Sequence, residues 1–159
     1  MIFVTLGTFD LPFNRLLEYI DKLIEEGIIK EEVIVQAGFT KHNTKNFKII
    51  DFTSSDEMED YYDRASFVVS HGGTGSLMMG VKKGKKMIGV PRLAKYGEHN
   101  NDHQIEIVEL LKEQGLILTA YDYEQFKEAV EKIEEFEPKK YESKTQVIID
   151  YISDFIDSL

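Results

Sequence analysis

The sequence predicts an α/β fold: an open parallel β-sheet with helices on both faces, built as a single domain. Three observations carry this. Short β-branched apolar runs alternate with helix-like stretches along almost the whole chain, the pattern of a parallel sheet with crossover helices. Glycines and polar residues collect just after the strand-like runs, where open α/β sheets bind their ligands. The 159 residues, 42% hydrophobic and 30% charged, suffice for one ordinary globular core.

The elements follow in order. Ile2–Leu6 reads as a buried first strand. Leu11–Glu26 reads as a helix with Leu16, Leu17, Ile20, Leu23 and Ile24 on one face and Pro12 suited to its first turn. Val33–Gln36 and Phe47–Asp51 are short strands separated by a polar loop containing His42-Asn43-Thr44. Ser55-Asp56-Glu57-Met58 opens a helix with acidic residues in its first turn. Phe67–Ser70 is a strand, Ser76–Lys83 a helix and Met87–Val90 a strand. Asn101–Glu113 is a helix capped at its C-terminus by Gly115, Leu116–Thr119 the last strand, and Tyr123–Glu134 a helix. A linker, Glu134–Lys140, leads to a final helix over Ser143–Ile156 whose apolar residues, Val147 to Ile156, cover more surface than one packing face requires. The expected division is an α/β domain over residues 1–137 and a C-terminal helix over 138–159, packing on that domain or on a partner.

Composition excludes several classes. With no cysteine there is no disulfide framework and no thiolate metal site. The N-terminus lacks a basic region followed by a long apolar run, and no apolar run approaches the roughly 18 residues of a membrane span, so the expected location is cytoplasmic. A net charge of −10 disfavours nucleic acid and anionic membrane. Lys82, Lys83, Lys85, Lys86, Arg92 and Lys95 nevertheless lie in a stretch free of carboxylates. They form either a solvated helix end or a basic face for a phosphate-bearing ligand, an acidic partner or lipid headgroups.

The most informative stretch is Val68-Val69-Ser70-His71-Gly72-Gly73-Thr74-Gly75-Ser76. A strand stops at a histidine and a glycine-rich turn, and helix-compatible sequence resumes. Such a turn leaves backbone N–H groups unpaired beside the positive end of a helix dipole, a seat for phosphate. The glycines allow close approach of an anion. His71 either closes the turn, donates to a phosphate or sugar oxygen, or acts as an acid–base group. Three other strand ends carry similar chemistry: Gly7-Thr8, Gln36-Ala37-Gly38, and Pro91-Arg92 with Gly97-Glu98-His99-Asn100-Asn101-Asp102-His103-Gln104. Together these predict a nucleotide-sized cleft. His99 and His103 are spaced i, i+4, but His99 precedes the expected N-cap at Asn100 or Asn101 and no HExxH pattern is present, so no metal site is expected. Asp102 and Gln104 either cap the helix or reach the ligand. The turn is neither a Walker A sequence nor a dinucleotide GxGxxG, which argues against an ATPase or a dehydrogenase.

The combination of His71-Gly72-Gly73-Thr74-Gly75-Ser76, the Gly84–Pro91 segment, Pro91-Arg92 and Glu98-His99-x-x-Asp102-His103-Gln104 resembles glycosyltransferase family 28. More narrowly it resembles short single-domain members: the catalytic subunit of the dolichol-pathway UDP-GlcNAc transferase and bacterial PssE-type exopolysaccharide or capsule subunits. The resemblance covers roughly residues 1–120 and includes the opening Val4-Thr5-Leu6-Gly7-Thr8. It implies a Rossmann-like domain equivalent to the C-terminal, donor-binding lobe of a GT-B glycosyltransferase, with the length fitting one lobe. It implies a UDP-sugar whose diphosphate faces Gly7, Thr8, His71, Gly72, Gly73, Thr74 and Gly75. Its uridine and ribose would lie near Gln36, Gly38 and Arg92, and its sugar near Glu98, His99, Asp102, His103 and Gln104. The reaction implied is an inverting transfer of a hexose or N-acetylhexosamine in polysaccharide synthesis, with no metal or other cofactor. The implied partner is a membrane-associated subunit that binds a lipid-linked saccharide acceptor and recruits this chain to the inner face of the membrane. The general base is unassigned, with His71 as the candidate catalytic residue. A non-catalytic nucleotide-sugar-binding regulatory subunit is the alternative. Two positions depart from the family pattern: Met79 stands where an acidic residue usually holds the ribose, and Gly84-Lys85-Lys86 replaces Gly-Lys-Pro.

Overall fold

The computed structural model describes residues 1–158. Six parallel strands, β1 (Ile2–Thr5), β2 (Val33–Gln36), β3 (Lys48–Ile50), β4 (Phe67–His71), β5 (Met87–Val90) and β6 (Leu118–Thr119), form one sheet in the order β3-β2-β1-β4-β5-β6. Side chains alternate across it. Ile2, Val4, Val33, Val35, Val69, Ile88 and Val90 enter one core with α1 (Asn14–Glu25) and α5 (Tyr123–Lys132). Phe3, Ile34, Val68 and Met87 enter the other, with α2 (Ser55–Arg64), α3 (Thr74–Lys82) and α4 (Gln104–Glu113). Both faces are covered, which is why the strands read as continuous apolar runs.

The strand order reverses at the β1–β4 pair, whose register sets Thr5 opposite Ser70. The chain leaves these two strands towards opposite sides of the sheet, opening a crevice at their carboxyl ends. Gly7 and the His71 turn flank that crevice.

Several boundaries differ from expectation, each for a local reason. α1 begins at Asn14, with Pro12 ahead of it, because the backbone N–H of Phe13 is held by Thr40 Oγ1 at 3.0 Å. α3 begins two residues early, at Thr74, with Gly73 as N-cap. α4 begins late, at Gln104, because Asn101 Oδ1 accepts from the His103 N–H and Asp102 Oδ1 from the Ala94 N–H. These bonds stabilise a loop in place of the first helical turn. Leu116 and Ile117 are buried but unpaired, and only Leu118 and Thr119 join β5.

α6 (Ser143–Asp157) lies along α4, with Ile149 fully buried and Thr145 Oγ1 donating to Gln114 Oε1 at 2.7 Å. Its opposite face leaves Val147, Tyr151 and Phe155 57–73% exposed. The basic stretch does not form one face. Arg92 is fully buried, Lys83 pairs with Asp63, Lys85 donates to the Asp63 carbonyl, and Lys86 donates to the Glu134 carbonyl. Among the described residues no helix is long and apolar enough to cross a membrane.

Candidate functional site

The turn between β4 and α3 is organised around His71. Its imidazole is lodged between two glycines of neighbouring strand ends. A Cβ on Gly7 would lie 2.4 Å from His71 Nε2, and one on Gly73 would lie 2.2 Å from Cε1. Gly7 also adopts φ +77°, which a side chain would disfavour. Gly72 is packed in the same way against Gln104, with a Cβ 2.6 Å from that side chain. Three of the four glycines therefore make room for protein rather than for a ligand, which corrects the reading of the glycines as clearance for an anion. Gly75 is the exception, since a Cβ there meets nothing within 4 Å.

Gln104 fixes the protonation pattern. Its Oε1 accepts from the N–H groups of Gly72 and Arg92, both at 2.9 Å, so its Nε2 faces His71 Nδ1 at 3.3 Å as a donor. The imidazole proton then sits on Nε2, which donates to Ser76 Oγ at 3.3 Å. Burial, with the Arg92 charge and His99 adding to it, pushes the His71 pKa down to about 3. The ring stays neutral through the physiological range.

Beyond this wedge the first turn of α3 is open. Gly73 offers no side-chain cap, and the N–H groups of Thr74, Gly75 and Ser76 have no acceptor among the described residues. They lie at the crevice, at the positive end of the helix dipole. A cavity lies on either side. One, of about 240 Å³, is lined by Thr5, Gly7, Thr8, Gln36, His71, Gly73, Gly75 and Ser76, closed by Phe52, Thr53 and Met58. The other, of about 440 Å³, is lined by Gly72, Gly73, Thr74, His99, Asn101, His103, Gln104 and Ile107, with Ser153, Ile156 and Asp157 of α6.

Several residues expected at the ligand also hold the framework together. Gln36 accepts from Thr5 Oγ1 at 2.6 Å and donates to the carbonyls of Gly7 and Asp51, tying β1, β2 and β3 together at their ends. Gly38, at φ +58°, packs against the Gly7 carbonyl. Arg92 does not reach the crevice. Its buried guanidinium donates to the carbonyls of Leu6 (2.7 Å), Leu11 (2.7 Å) and Glu98 (3.0 Å). Burial lowers its pKa to about 10, so it remains charged at neutral pH. Glu98 is equally removed from the sugar role, because its carboxylate takes Arg15 through two bonds of 2.9 and 3.0 Å and the Leu93 N–H at 3.0 Å. Asp102 is held by Ala94. His99, His103 and the exposed Thr8 do face the rim, His99 stacked on Phe9 at 4.3 Å. Phe52, Thr53 and Met58 were not foreseen, although Phe52-Thr53 follows β3 as Gly7-Thr8 follows β1. Among the described residues no group of three or more His, Asp or Glu is placed to hold a metal.

The profile of the glycosyltransferase family 28 C-terminal domain matches residues 1–159. The chain belongs to this family. It is 31% identical over 133 residues to the UDP-N-acetylglucosamine transferase subunit ALG13 of Yarrowia lipolytica, covering 77% of this chain. The match spans 65% of that relative's length, just under two thirds. The solution structure of an ALG13 superposes with a TM-score of 0.59 at 18% identity, covering 92% of this chain and 93% of that one. The Methanocaldococcus jannaschii UDP-GlcNAc 2-epimerase, solved with UDP-GlcNAc and UDP, superposes with a TM-score of 0.61 at 18% identity, over 97% of this chain and 45% of the epimerase. The fold is that of the C-terminal lobe of a GT-B glycosyltransferase. Within the family pattern, Met79 lies one turn beyond Gly75 on α3 and packs partly against the second core cluster.

Proposed function

We propose that this chain is the donor-binding subunit of a two-chain inverting glycosyltransferase, taking a UDP-sugar and passing its hexose or N-acetylhexosamine to a lipid-linked acceptor in polysaccharide synthesis. The observation that carries this is the open first turn of α3 at the β1–β4 switch point, with a cavity on each side. A diphosphate on the N–H groups of Thr74, Gly75 and Ser76 sends the nucleoside into the cavity under Phe52, Thr53 and Met58. The sugar then lies in the cavity beside His99 and His103. Charge develops on the diphosphate as the anomeric C–O bond breaks. Preorganised N–H donors and the α3 dipole stabilise it there, without a metal ion. His71, neutral and wedged, holds these donors in place as a positioning residue and takes no proton. The base that activates the acceptor hydroxyl then belongs to the partner.

That partner is a membrane-associated, acceptor-binding subunit, and the exposed stripe Val147-Tyr151-Phe155 is the surface offered to it. Its i, i+4, i+8 spacing gives one continuous apolar ridge. Such recruitment would place the chain at the cytoplasmic face of the membrane. Met79 favours a second reading, a nucleotide-sugar-binding regulatory subunit, because it removes a carboxylate from the ribose side. The test is UDP release from a UDP-sugar with a lipid-linked acceptor, by the chain co-expressed with its partner. Turnover supports the enzyme, and UDP binding without turnover supports the regulator.

A further inference from the structure

The cavity beside α4 and α6 contains polar groups that the fold leaves unused. The Nδ1 atoms of His99 and His103 are buried without a partner, although buried polar atoms in folded proteins are normally satisfied. Both rings line the same space. Stacking on Phe9, with planes within 10°, fixes the His99 ring, and burial lowers its pKa so that the ring is neutral at physiological pH. A neutral imidazole nitrogen pairs with a hydroxyl in either direction. A polyhydroxylated ligand suits a cavity lined by two imidazole rings.

The carboxylates of the rim loop do not line this cavity. Glu98 is occupied by Arg15 and Leu93, and Asp102 by Ala94. The Gln104 amide is occupied by Gly72, Arg92 and His71. The one carboxylate lining this cavity comes from α6: Asp157, which makes no hydrogen bond or ion pair among the described residues. Ser153 stands one turn before it on the same wall, and Ile156 adds an apolar surface suited to the C–H face of a pyranose. Ile149 and the Thr145–Gln114 bond dock the helix that carries them.

We infer that α6 supplies Ser153 and Asp157 as recognition residues for the hydroxyl groups of the transferred sugar, so that the final helix, with His99 and His103, sets donor specificity. This rests on the UDP-sugar reading above. It gives α6 two working faces, an exposed ridge and a wall of the donor pocket.

The test uses the full chain and titrates UDP, UDP-GlcNAc, UDP-glucose and UDP-galactose calorimetrically into wild type, Asp157→Ala, Asp157→Asn and Ser153→Ala. For Asp157→Ala the ratio of UDP-sugar Kd to UDP Kd rises about tenfold for at least one donor, as expected for loss of one charged hydrogen bond. Asp157→Asn and Ser153→Ala raise it less. The UDP Kd stays within about twofold of wild type, which also reports an intact fold. Unchanged ratios in all three variants, or equal loss of UDP and UDP-sugar, overturn the assignment to α6 while leaving the donor-binding reading intact. A wild-type chain that binds none of the four ligands refutes the donor-binding reading and this assignment with it.

Discussion

Gly73→Ala isolates the wedge at the centre of the site. The backbone at Gly73 is already extended, with φ −78° and ψ 132°, so alanine introduces no conformational strain there. The whole cost arises from one contact: the new Cβ falls 2.2 Å from His71 Cε1, whereas ordinary contacts begin at 3.4 Å. The imidazole must shift by more than an ångström, and Gly7 blocks retreat on its other side. Overpacking of this kind costs about 1–3 kcal/mol. His71→Ala alone costs a similar amount, roughly 2 kcal/mol, through lost packing and two lost hydrogen bonds. In the double variant the clash is gone, so Gly73→Ala becomes nearly neutral and the coupling energy is about 1–3 kcal/mol. Urea unfolding of the four proteins at constant m measures it. Equal costs for Gly73→Ala with and without His71 would show that the glycine serves something other than the imidazole, and the wedge argument fails.

Three further outcomes follow. Glu98→Ala removes the carboxylate from the partly buried Arg15 charge and frees the Leu93 N–H, so stability falls by about 3 kcal/mol and all ligand binding weakens together; a stable variant that loses only the sugar would restore Glu98 to the sugar side. Burial pushes the Asp21 carboxyl up, but hydrogen bonds from Thr44, His42 and Asn46 outweigh it and hold the group below its ordinary value. Because the folded-state pKa is depressed, this stabilisation is complete above the unfolded value of about 3.9 and is lost as pH falls through the folded one. Asp21→Asn therefore lowers the urea midpoint at pH 7 and narrows the gap from wild type as the pH drops below about 4; a gap independent of pH would rule the linkage out. Met79→Glu restores a carboxylate beside Gly75, and UDP affinity rises several-fold by calorimetry, whereas no change would show that the ribose lies elsewhere.

The fold was legible because the four central strands are buried on both faces, which leaves unbroken apolar runs separated by helical periodicity. The four strand ends were legible as one rim because topology collects them there whatever their side chains do. The roles of those side chains were not. Arg92 reads as a rim cation, yet its partners at Leu6 and Leu11 are more than eighty residues away in the chain, and nothing local marks it as buried. Glu98 reads as a sugar ligand until Arg15 arrives from α1. The late start of α4 depends on Ala94 capturing Asp102 across the loop. The basic stretch dispersed because Asp63 and Glu134, distant in the chain, claim three of its lysines. The second cavity was hidden for the same reason, since one side of its wall, Ser153, Ile156 and Asp157, comes from α6, some fifty residues after the rim loop.

The central claim, that the open first turn of α3 seats the diphosphate of a UDP-sugar, is tested most directly by Gly75→Ala. Its Cβ meets no protein atom, and within a helix alanine is favoured over glycine by about 0.5–1 kcal/mol. The methyl group instead occupies the approach to the free N–H groups. The account predicts a chain that is more stable to urea than wild type and binds UDP at least roughly tenfold more weakly. Undiminished UDP affinity in that stabilised variant would contradict it.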